Sequence, residues 1–225
     1  MPLIANRCDI ITVERIQPTS STRKLYMEHP QHIVCVKSAL FDKRKNGFSD
    51  YEIQGGDIII AQRELLEKDD TYRQVLPECV FVHNGKVWAY ERTEAGGEAN
   101  LHGKTAVAVG GHWDLEDLVS NNSVIDLAAS FEKAMNREIE EEVSLTSNII
   151  KKRKLEKVIC ADDTFVDRHH VAVIYICELD GEGISANEDQ LKELGFIDPQ
   201  ELLDGDYNNE VWTRMICEIL VNEKQ

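Results

Sequence analysis

A short acidic run, Glu138, Glu140, Glu141 and Glu142, follows Arg137, and a glycine pair, Gly110-Gly111, lies upstream of it. On a helix, Glu138, Glu141 and Glu142 stand at i, i+3 and i+4 and share one face, while Glu140 points elsewhere. Like charges at these spacings destabilise a helix by roughly 0.2–0.5 kcal/mol per pair, so the trio requires bulk solvent or a compensating cation. Oxygen-only ligands select a hard ion such as Mg²⁺ or Mn²⁺. The competing reading is a solvated acidic face, ordinary in a chain with 41 acidic and 25 basic residues and a net charge of −16.

The element that must position these carboxylates is a helix over about residues 124–143. Phe131, Met135, Ile139 and Val143 recur at i+4 as its buried stripe, and Ser123-x-x-Asp126 fits a capping-box start. A buried-looking strand over 105–109 delivers the chain to the glycine pair. Before it, Asn84-Gly85 between two β-rich runs predicts a hairpin with a type I′ turn. Arg92 follows that hairpin and either faces a substrate groove or pairs with Glu91 or Glu94. His102 and Lys104, in a glycine-spaced loop, either contact phosphate or are solvated. Trp113 is expected either to pack over the glycine turn, the preferred reading, or to stack on a base.

The segment from Phe131 to Val143, with Arg137-Glu138-Ile139-Glu140-Glu141-Glu142 downstream of Gly110-Gly111-His112, resembles the signature of the Nudix hydrolases. Gly96-Gly97-Glu98, Leu101-His102-Gly103-Lys104 and Val109-Gly110-Gly111-His112 resemble longer bacterial and phage members of that family, and the resemblance covers roughly residues 77–220. It implies an α/β fold, an α/β/α sandwich with a mixed β-sheet. It also implies a metal-dependent hydrolase that cleaves a diphosphate linkage in a nucleoside diphosphate derivative or nucleotide. Glu138, Glu141 and Glu142, with the Gly111 carbonyl, would hold Mg²⁺ or Mn²⁺, and Arg137 would orient a carboxylate. Glu138 or Glu188 would serve as base, and Arg92, His102 and Lys104 would bind substrate. Ser144 stands where the family has a glycine. The family's first acidic residue falls on Asp117 counted from the glycine pair and on Ala129 counted back from Arg137, because the intervening loop is longer. A non-hydrolytic nucleotide sensor on the same domain is the alternative function.

The 225 residues suit one core with an extension, divided as an N-terminal α+β extension over 1–76 and a catalytic domain over 77–225. Residues 10–13, 32–36 and 57–60 read as extension strands and 62–67 as a helix, packing on the core or on a second subunit in a homodimer. Farther on, 151–154 reads as a basic turn, 158–160 and 171–177 as strands, and 210–221 as a closing helix. His169-His170 does not suit zinc, since neighbours on a strand face opposite ways. The six cysteines lack a CxxC pair and read as reduced core residues. No signal-peptide pattern and no membrane-length apolar run is read, so a cytoplasmic protein is expected. The negative charge disfavours membranes and broad nucleic-acid binding but permits a small-molecule nucleotide substrate.

Overall fold

The computed structural model describes residues 30–96, 99–121 and 124–224. The strand expected at 10–13 therefore lies outside the described residues. Within the extension, β1 (His32–Lys37), β2 (Phe48–Ser49) and β3 (Ile59–Gln62) are short strands, and α1 (Arg63–Leu66) is one helical turn. The hairpin forms as predicted from β4 (Tyr72–His83) and β5 (Lys86–Arg92). Asn84 and Gly85 have φ of 49° and 74°, the pair of positive values that a type I′ turn needs.

The strand expected at 105–109 is two, β6 (Thr105–Ala106) and β7 (Ala108–Gly110), because the chain steps across from β5 to β4 at Val107. A two-stranded ribbon, β8 (Ser120–Asn121) and β9 (Val124–Ile125), occupies the expanded loop, so the helix α2 (Leu127–Glu142) starts later than 124. Its N-cap is Asp126, whose carboxylate accepts from the Ala129 N–H at 3.0 Å. Ser123 lies outside the described residues.

The chain leaves α2 directly into β10 (Val143–Leu145). Next comes β11 (Ile149–Lys154), which corrects the basic turn expected at 151–154. It is followed by β12 (Val158–Ile159), α3 (Phe165–His169), β13 (His170–Leu179), β14 (Ile184–Ala186) and β15 (Leu191–Ile197), then α4 (Pro199–Asp204) and α5 (Val211–Glu223). Among the described strands β11 pairs only with β13, and lysines on such an edge discourage further pairing.

Eleven of the described strands form one mixed sheet along the path β15-β5-β4-β13-β12-β2, with β4 and β13 parallel. Side-chain alternation along β4 divides the core. Cys79 and Phe81 join Met135, Ile139 and Val143 on the α2 face, and Val80 joins Leu202, Ile216 and Leu220 on the α4–α5 face. The result is a layered α/β/α arrangement with α2 against one side of the sheet. All four residues of the predicted α2 stripe are buried.

The extension's strands belong to this same sheet. β1 pairs with β3 and with the start of β4, and Val34 donates to the Trp113 carbonyl at 2.7 Å. Val34, Val36 and Phe41 pack with Trp113, Phe131 and Val173, and the boundary drawn at 76/77 falls inside β4. Arg73, almost fully buried in β4, donates through Nη1 to the carbonyls of Ala161, Asp167 and His170 and pairs with Asp162. No described helix is long and apolar enough to cross a membrane.

Candidate active site

Gly110 and Gly111 end β7, where the backbone must approach other groups closely. A Cβ on Gly110 would overlap the Pro77 carbonyl, and one on Gly111 would lie 2.5 Å from a Glu138 carboxylate oxygen. At Gly110 only glycine fits, because the obstacle is backbone, whereas a side chain at Gly111 would displace the Glu138 carboxylate. The Gly110 N–H donates to the Glu142 carboxylate. The turn and the acidic face of α2 are thus in direct contact.

Arg137 organises the same corner. Its Nη2 donates to Asp117 Oδ2 at 2.8 Å and to the His112 carbonyl at 2.9 Å, and its Nε donates to Asp117 Oδ1 at 3.2 Å. Nη1 donates to Glu138 at 2.7 Å and to Glu141 at 3.3 Å. Asp117 sits in a 3₁₀ turn whose capping box with Asp114 turns its carboxylate inward, leaving it 1% exposed. The count from the glycine pair therefore names the residue that meets Arg137; Ala129 has no group that could.

A cleft of about 790 Å³ gathers Arg92, His102, Gly110, Gly111, Arg137, Glu138, Glu141 and Glu142. Glu140 is exposed and outside it. Lys104 lines a smaller, mostly apolar pocket of about 80 Å³ beside the cleft, sharing Leu76, Glu78, Arg92 and Leu101 with it. Glu188 is not among the residues lining the cleft, but its negative charge acts on Glu142. Arg92 pairs with neither Glu91 nor Glu94; its partner is Glu210 at the start of α5. The His102 Nε2 lies 2.8 Å from the Gly96 carbonyl, and Trp113 is buried edge-on to Phe131.

The cleft is also lined by Gln31, Arg63 and Glu67 of the extension, which sequence reasoning had not singled out, and by His170, which it had weighed only as a zinc ligand. Glu78 of β4 was missed as well. Its one cue was a lone charge inside the otherwise apolar run 75–82.

Burial raises the Glu138 pKa, opposed by Arg137, and burial pushes Glu142 up to about 7, opposed by Arg92 and reinforced by Glu138. Among the described residues, no three acidic, His or Cys side chains stand close enough to share an ion, since Arg137 takes Glu138 and Glu141. The donor set nevertheless suits a hard divalent cation. It is all oxygen, its members repel one another, and the side-chain-free glycines leave space between them.

Mixed sheet, flanking helices and a glycine turn seated on an acidic helix together give this chain the form of a Nudix domain. Residues 79–215 match the family model described as the NUDIX domain. Over 161 residues the chain is 27% identical to Protein YmaB of Bacillus subtilis (strain 168), which spans 68% of this chain and 74% of that protein. Its fold is similar to the crystal structure of Tm1382, a candidate Nudix hydrolase, with a TM-score of 0.67 and 23% identity over 85% of this chain and 99% of that one. The chain belongs to the NUDIX family.

Proposed function

We propose that this protein is a metal-dependent hydrolase that cleaves the diphosphate linkage of a nucleoside diphosphate derivative or nucleotide. The observation that carries this reading is the contact between the Gly110-Gly111 turn and the α2 carboxylates inside a cleft that also holds Arg92 and His102. Glu138, Glu141 and Glu142, with the Gly111 carbonyl, would hold Mg²⁺ or Mn²⁺. When bound, such a cation neutralises diphosphate charge and acidifies water.

The chain's own groups supply the rest. Arg137, anchored by Asp117, positions Glu138 and Glu141. Glu138 or Glu188 takes a proton from the attacking water, a contribution of roughly 10²–10⁴ in rate. Arg92 and His102 meet the substrate in the same cleft, and Lys104 reaches it from the neighbouring pocket. The products are a nucleoside monophosphate and X-phosphate, or a monophosphate and pyrophosphate from a triphosphate.

A panel of nucleoside diphosphate derivatives and triphosphates, assayed with Mg²⁺ and with Mn²⁺ by phosphate release after phosphatase coupling, tests the proposal. Turnover of at least one compound that depends on the divalent ion is the expected result. Tight binding without turnover under both ions would replace it with the sensor reading.

A further inference from the structure

We propose that Glu78, on β4, is an additional ligand of the cation site, completing from the sheet what α2 supplies from the helix. This rests on the metal-dependent reading above and extends it to a residue outside the family signature.

Three observations carry the inference. Glu78 is 5% exposed, and its Oε2 has no hydrogen-bond partner among the described residues, yet the side chain lines the cleft. It stands in register with Gly110 of β7, and a Cβ on that glycine would lie 3.0 Å from Oε2. The same glycine pair meets Glu138 at Gly111 and Glu142 through the Gly110 N–H. Carboxylates from two elements thus border one side-chain-free turn.

The electrostatics agree with that placement. Burial holds the Glu78 carboxyl well above the usual carboxylate range, Arg92 opposes this, and Glu142, Glu210 and Glu138 reinforce it. Arg92 is already paired with Glu210 and so is not free to neutralise Glu78 alone. A buried carboxylate with an unsatisfied oxygen is heavily penalised unless it meets a proton donor or a cation. A hard dication in the cleft meets that need with the chemistry of the site.

The test compares wild type, Glu78→Gln and Glu141→Gln by calorimetric titration with Mn²⁺ and by melting temperature with and without the ion at fixed pH. Glu78→Gln is expected to weaken Mn²⁺ binding by at least the roughly 10–100-fold that loss of a group supporting a ligand costs. Its metal-free melting temperature is expected to be no lower than that of wild type, because the amide removes an uncompensated buried acid. Mn²⁺ binding by Glu78→Gln equal to wild type would overturn this inference and leave the functional proposal standing. Absence of Mn²⁺ binding by wild type would instead overturn the functional reading, and this inference with it. A crystal structure of wild type with Mn²⁺ needs no variant to fold: a Glu78 oxygen at ligand distance supports the assignment, and one beyond about twice the ~2.1 Å typical of small hard dications overturns it.

Discussion

Arg137 shows how much one side chain can fix. By bonding Asp117, the His112 carbonyl, Glu138 and Glu141, it ties the glycine turn to the acidic face, and its pKa is raised first by the Asp117 hydrogen bond. Glu141 is 54% exposed and makes a single long contact with it, so Glu141→Gln is expected to leave the melting temperature nearly unchanged. If the carboxylate's hold on the cation contributes ~3 kcal/mol to the transition state, turnover of that variant falls roughly a hundredfold. Asp117→Asn acts one step removed and should lower activity by roughly 10–100-fold, with a smaller loss than Glu141→Gln at saturating metal. Steady-state kinetics on both variants against Mn²⁺ concentration checks the order. That Glu138, Glu141 and Glu142 share one helix face was legible from spacing, whereas their reading as a site came from the resemblance. The choice between Asp117 and Ala129 was not, because an insertion of unknown path separates the two counts. Neither was the Arg92–Glu210 pair, whose members lie on elements distant in the chain.

At the scale of elements, α2 shows what takes the place of the family's glycine cap. With Ser144 in place of the glycine, the helix passes straight into β10, and Asn187 supplies the cap. Asn187 N–H donates to the Glu142 carbonyl at 2.8 Å, its Nδ2 donates to the Glu140 carbonyl at 3.1 Å, and Ser144 Oγ donates to its Oδ1 at 2.6 Å. Asn187→Ala removes the two side-chain bonds, each worth ~0.5–1.5 kcal/mol, so a loss of about 1–2 kcal/mol in denaturant unfolding is expected, with the slope unchanged. No local pattern could announce this cap, since it arrives from 45 positions downstream of Glu142. The hairpin at Asn84-Gly85 and the stripe of α2 were legible because turn chemistry and i+4 periodicity are local. The misread strand at 149–154 had its β-character masked by four basic residues, whose role there is to keep an edge from pairing.

The whole molecule carries a pH dependence through His170, which joins α3 to β13 and lines the cleft. Burial lowers its pKa to about 4, with His169 and Arg63 adding to the shift and the Val166 carbonyl and Glu67 opposing it. The neutral ring is therefore favoured by folding. Its contribution is present above the unfolded value near 6.5 and is lost as pH falls toward 4, a difference of about 3 kcal/mol across that window. His170→Gln should flatten the acid limb of the stability curve between these values, measured by denaturant unfolding at several pH values; an unchanged limb would refute it. The way β1 and Arg73 are built into the sheet has a practical consequence. A fragment trimmed to the family match at 79–215 would begin midway through β4. It would leave the carbonyls of Ala161, Asp167 and His170 without their donor and discard the last turns of α5. Such a fragment is expected to precipitate on expression, because the unit that folds is longer than the stretch by which the family is recognised.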